Sequence, residues 1–88
     1  MEHVDKCASV LRHLIADGQT DGIPLAEKAI DELMAATPAS RQKESLSNVR
    51  SVVQADRDAV AREADFGSQL GFADTVNNYI EKLMRNLA

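Results

Sequence analysis

The chain has 88 residues, a net charge of −4, 44% apolar residues and a single cysteine. That length gives one domain, which buries only about 60–65% of its unfolded surface and is stable by a thin margin. Lone Cys7 excludes an internal disulfide, and no apolar run approaches the roughly 20 residues of a membrane span. Residues 1–7 lack the basic and apolar regions of a secretory signal, so the expected location is the cytoplasm, with Cys7 a buried thiol in a reducing compartment.

The pattern predicts an all-α, compact four-helix domain. The first helix covers about residues 2–17, where Val4, Cys7, Ala8, Leu11, Leu14 and Ile15 recur at i, i+3, i+4, i+7 spacing. Gly18 is its stop, because glycine takes the left-handed C′ conformation without a Cβ clash. The segment Asp17–Gly22 is dense in turn formers. Thr20 or Asp21 is a candidate cap for a second helix over about 23–36, with Pro24 in its first turn, where no N–H is needed. Leu25, Ala26, Ala29, Ile30, Leu33 and Met34 form its stripe; Glu27, Lys28, Asp31 and Glu32 face away.

Thr37 and Pro38 end the second helix and open a third, with Thr37 as cap and Pro38 at N1. That third helix is expected to be the long central element, about 38–65, with Leu46, Val49, Val53, Val60 and Ala64 on one face. Ser40, Ser45, Ser47, Asn48 and Ser51 compete for backbone hydrogen bonds and weaken its first half. Gly67 and Gly71 bracket a break, after which the last helix either begins early, with Ser68 as cap and Gly71 in its first turn, or begins near Phe72. A fourth helix, about 69–87, carries Phe72, Ala73, Val76, Tyr79, Ile80, Leu83, Met84 and Leu87, with Lys82 and Arg85 suited to its C-terminal dipole.

An unbroken helix over 38–65 is about 40 Å long, against a domain diameter of roughly 30 Å. One end overhangs and exposes apolar surface, which predicts a homodimer or a partner along Leu46, Val49, Val53, Asp56 and Val60. Asp56 and Glu63 stand at the edge of that stripe. They face water, or they set register against a facing chain.

Charge is uneven. Residues 1–37 hold three cations against seven acids, and the rest of the chain is neutral. The acidic front serves solubility or docks a basic partner, with Glu27, Asp31 and Glu32 as candidate partner-binding residues. Lys43, Arg50 and Arg57 recur every seven residues along one side of the third helix. Such a row can track phosphates, although Asp58 and Asp65 share its flank and the domain is acidic overall.

Other constellations are incomplete. Asp17, Gln19, Asp21 and Gly22 fit the start of an EF-hand loop, but its twelfth position is Lys28, and Glu27 falls one residue short. His3 and Cys7 stand at i, i+4, yet a structural zinc site needs four ligands, and His13 projects from a different face. Cys7, His13 and the acids form no triad with a strained nucleophile turn or an oxyanion cluster. Asp65-Phe66-Gly67 matches a kinase tripeptide by letters only, without a phosphate-binding glycine loop. No catalytic residue, cofactor or metal ligand is assigned, and no enzyme activity is expected. The function expected is that of a small acidic helical protein that binds and regulates another protein, as inhibitor, antiactivator or chaperone-like adaptor. The alternatives are a dimeric DNA- or RNA-binding regulator using Lys43, Arg50 and Arg57, and a structural subunit of a larger assembly.

Overall fold

The computed structural model describes residues 2–62 and 67–87. Among these the regular structure is helical: α1 (Glu2–Asp17), α2 (Ile23–Ala36), α3 (Gln42–Ala61) and α4 (Gly67–Asn86), with 3-10 turns at Thr20–Gly22 and Ala39–Arg41. Gly18 ends α1 at φ 63°, and its N–H donates to the Leu14 carbonyl at 3.0 Å. Pro24 lies in the first turn of α2. Neither Thr20 nor Asp21 caps that helix. Both lie in the 3-10 turn, and the N-cap is Gly22, without a side-chain bond. Gly22 is buried where α1, α2 and α4 converge. A Cβ there would lie 3.2 Å from the Phe72 ring and 3.3 Å from Leu14.

The second link departs from expectation. The Thr37 hydroxyl donates back to the Leu33 carbonyl at 2.5 Å, and the Gln42 amide donates to the Met34 carbonyl at 3.1 Å. Both side chains tie off the C-terminal carbonyls of α2, so Thr37 closes α2 instead of capping α3. Pro38 is extended, at ψ 145°, and precedes a 3-10 turn instead of a helix. The single helix over 38–65 is therefore corrected: α3 runs from Gln42 to Ala61, 20 residues, the same length as α4. Glu63, Ala64 and Asp65 lie outside the described residues. α4 is already helical at Gly67, so of the two expected starts the early one holds: Gly71 sits inside the helix, and Ser68 lies within it instead of capping it.

The helices form two antiparallel hairpins set side by side. Within the first, Leu14 meets Gly22, while Cys7 and Glu32 stand together. Within the second, Arg57 bonds Asp74 and Arg50 bonds Glu81. Between hairpins the neighbours are parallel. Val4 of α1 shares a surface hollow with Ser45 of α3, and Arg12 reaches Asp56. Gly22, the N-cap of α2, abuts Phe72 of α4, and Asp31 of α2 reaches Tyr79. Consecutive α2 and α3 are thus diagonal to one another, and the 37–41 link crosses beneath the start of α1. Gln69 of α4 donates to the Ala16 carbonyl at 2.8 Å, closing the other diagonal.

The core is aliphatic. Leu11, Ile15, Ile30, Leu46, Val49, Val53 and Ile80 lose essentially all exposure, and Phe72 supplies the one described aromatic ring among them. At about 25 cal/mol per Å², each such side chain contributes roughly 1.5–3 kcal/mol. The molecule measures 40 × 21 × 20 Å. An α3 of 20 residues is about 30 Å long, so it lies within the long dimension and the predicted overhang does not arise.

Candidate functional site

An open groove of about 750 Å³ lies between parallel α1 and α3. Its floor and walls are small or aliphatic: Ala8, Ile15 and Ala16 from α1, and Val52, Ala59 and Val60 from α3. Alanines leave the groove wide because no long side chain fills the space between the helix axes. One ion pair spans it, Arg12 Nε to Asp56 Oδ2 at 3.4 Å, with Asp56 the better shielded partner. Asp5 lines one end and makes no ion pair among the described residues. His13 lines the same groove, whereas His3 lines the one between α1 and α2, so the two histidines face different sides of α1.

The residues expected to mediate self-association divide. Leu46, Val49 and Val53 have no exposed area and belong to the core of a single copy. Asp56 and Val60 are half-buried and face the groove. A chain docking along α3 thus meets Val52, Asp56, Ala59 and Val60. Val52 and Ala59 escaped notice because they lie one position from the predicted stripe, and an alanine wall has no strong hydrophobic signal.

The basic row of α3 is largely engaged. Arg50 is paired with Glu81, and Arg57 Nε donates to Asp74 Oδ1 at 2.9 Å while its Nη1 lies 3.6 Å from Asp58. Between them Asn77 donates to Gln54 at 3.3 Å, and Gln54 donates to Asp58 at 3.1 Å. These pairs step along the antiparallel α3–α4 seam as one polar ladder. A phosphate would have to displace carboxylates already in contact, and of the three expected residues only Lys43 is exposed and outside the ladder. The spacing that suggested a phosphate track is equally the spacing that places cations on one seam.

The three acids of α2 do not form one patch. Glu27 and Asp31 turn toward α4, where the Tyr79 hydroxyl donates to Asp31 Oδ1 at 2.6 Å. That bond, followed by burial, pushes the Tyr79 phenol up to about 12. Glu32 turns toward α1, beside Cys7. Burial first, and then the Glu32 charge, raises the Cys7 thiol to about 11, which leaves almost no thiolate at neutral pH. Among the described residues no three His, Cys, Asp or Glu side chains cluster in a metal-binding arrangement. No described helix is long and apolar enough to cross a membrane.

Fold and surface together define a small all-helical bundle with an open, largely apolar groove between α1 and α3. No family model, curated protein or solved structure matches the chain.

Proposed function

We propose that the chain is a protein-binding regulator that receives a basic amphipathic helix of another protein in the α1–α3 groove and performs no chemistry itself. The observation that carries this is the groove: an apolar floor of small residues, open along its length and flanked by carboxylates. A cavity for a small molecule encloses most of its ligand, whereas an open channel between two helices suits the apolar face of a third. The charge favours a cationic occupant. Asp56 is already matched by Arg12, Asp5 is not, and the first 37 residues hold all of the net −4. An acidic front draws a basic helix in and raises its association rate, while apolar contact holds it.

The test uses a labelled synthetic helix of leucine and lysine in amphipathic order, with a leucine–glutamate helix as counterpart. Fluorescence anisotropy should show binding of the basic helix, weakening with salt, and none of the acidic one. Ala59→Lys and Ala16→Lys fill the groove from exposed positions and should each lower affinity about tenfold, as expected for central contacts. Ser47→Lys adds the same charge outside the groove and should have little effect. If all three variants weaken binding equally, or the basic helix does not bind, the groove is not the docking site.

A further inference from the structure

The two ends of the hairpin stack are chemically unlike. The outer side of α3–α4 is finished: Arg50, Gln54 and Arg57 are bonded to Glu81, Asn77 and Asp74, and Ser47 and Ser51 face water. The outer side of α1–α2 is not. It carries the two large apolar residues most exposed inside the helices, Val10 at 37% and Leu25 at 56%. Leu25, Ala29 and Glu32 share one stripe of α2, and His3, Lys6 and Val10 one stripe of α1. Val10 and Ala29 line a shallow groove together, with Lys6 on one bank and Glu32 on the other.

We infer that this face docks against the same face of a second copy, with the twofold axis parallel to the helices. The register of charges and apolar residues on this face selects that occupant. Lys6 and Glu32 stand at the same height on antiparallel helices, next to Cys7, and Val10 stands level with Ala29. A half-turn about an axis along the bundle keeps every height and exchanges left for right. It lays α1 of each copy across α2 of the other, antiparallel. Lys6 then faces Glu32 twice, Val10 faces Ala29 twice, and Leu25 covers the Leu14 end of the opposite α1. A face with a cation on one bank and an anion at the same level on the other is self-complementary under this operation.

The area sets the strength. α1 has 16 residues and is about 24 Å long, and the bundle is about 20 Å across, so each copy offers roughly 480 Å². Two such faces total about 1,000 Å², the lower bound for a specific association. The dimer is therefore at the weak, transient end of specific associations, and dilution separates it. This surface lies on a different side of α1 from the α1–α3 groove, so the two associations fail independently.

Sedimentation velocity from about 1 µM to about 1 mM should show the wild type passing from monomer to dimer in the upper part of that range. Lys6→Glu alone and Glu32→Lys alone each set like charges opposite one another twice, and each should weaken self-association at least about tenfold. Both positions are exposed, so helical content by circular dichroism should be unchanged. The two variants mixed in equal amounts should re-form the dimer, because one chain then presents two acids to two bases of the other. Leu25→Ser should weaken association without altering the charge pattern. A wild type that stays monomeric to about 1 mM overturns the inference, as does a charge-reversed mixture that stays monomeric, or a dimer indifferent to all three substitutions.

Discussion

Replacing Asn77 by leucine should stabilise the protein. Asn77 is 8% exposed, on the face of α4 that meets α3, and its Oδ1 is buried with no hydrogen-bond partner among the described residues. Its orientation is fixed from outside. Nδ2 donates to Gln54 Oε1, and Gln54 spends its own amide on Asp58, so turning the Asn77 amide over would set two carbonyl oxygens against each other. An unsatisfied buried carbonyl costs about 1–3 kcal/mol, and the 3.3 Å bond to Gln54 returns about 0.5–1 kcal/mol. Leucine removes both and adds apolar burial worth roughly 1–2 kcal/mol, less up to about 1 kcal/mol for its extra bulk. The net expectation is about 2 kcal/mol of added stability. With a urea slope of about 1 kcal/mol/M for a domain this small, the unfolding midpoint should rise by about 2 M, and Tm by roughly 4–8 °C per kcal/mol. Gln54 loses nothing, since it is exposed and exchanges its partner for water. A midpoint that falls would refute the reasoning, because it would mean that Oδ1 is satisfied in the folded protein and that the polar rung is a net source of stability.

Two further outcomes follow from the same geometry. Gly71→Ala should add about 0.5–1 kcal/mol, read as a higher urea midpoint, because Gly71 is exposed inside α4 and a Cβ there meets nothing within 4 Å; a loss would show that the backbone there is not helical. Stability should decline in alkali, since both raised groups hold their proton more tightly when folded. The contribution of Cys7 is complete below its ordinary 9.0 and lost as pH rises through about 11, and that of Tyr79 is complete below 10.0 and lost through about 12. As Tyr79 is the one tyrosine, its phenolate absorbance isolates the second phase, which Tyr79→Phe should abolish; an ordinary midpoint near 10.0 would remove the Asp31 bond from consideration.

What was legible in the sequence was the local part. Gly18 and Pro24 carry backbone constraints that act within a turn, so the limits of α1 and α2 follow from them directly. The start of α3 did not, because the serine- and proline-containing stretch 37–41 can satisfy its neighbours in two ways. Thr37 can cap forward or bond backward, and only the packing of Gln42 against the end of α2 decides for the latter. The groove was illegible for a related reason. Its walls are Ala8, Ala16 and Ala59, and an alanine is silent until a facing helix shows whether the space beside it is filled. The ladder was half legible, since the seven-residue recurrence of Arg50 and Arg57 was plain but Glu81 and Asp74 lie 31 and 17 residues away. Recurrence too became clear only in three dimensions. Ile30-Asp31-Glu32-Leu33-Met34 and Ile80-Glu81-Lys82-Leu83-Met84 occupy corresponding places in α2 and α4, in hairpins set side by side.

The side-by-side arrangement also fixes how the chain finds its native state. Contacts inside each hairpin join helices adjacent in sequence, whereas the contacts that unite the hairpins, α1 with α3 and α2 with α4, join segments roughly half the chain apart. Loop closure for the second kind must precede its reward, so the hairpins zip early and their docking is the late step. The α3–α4 hairpin, with the more extensive seam and the polar ladder to set its register, is the natural nucleus. Truncations in that seam should slow folding, while truncations at Ala8 or Val60, between the hairpins, should chiefly hasten unfolding.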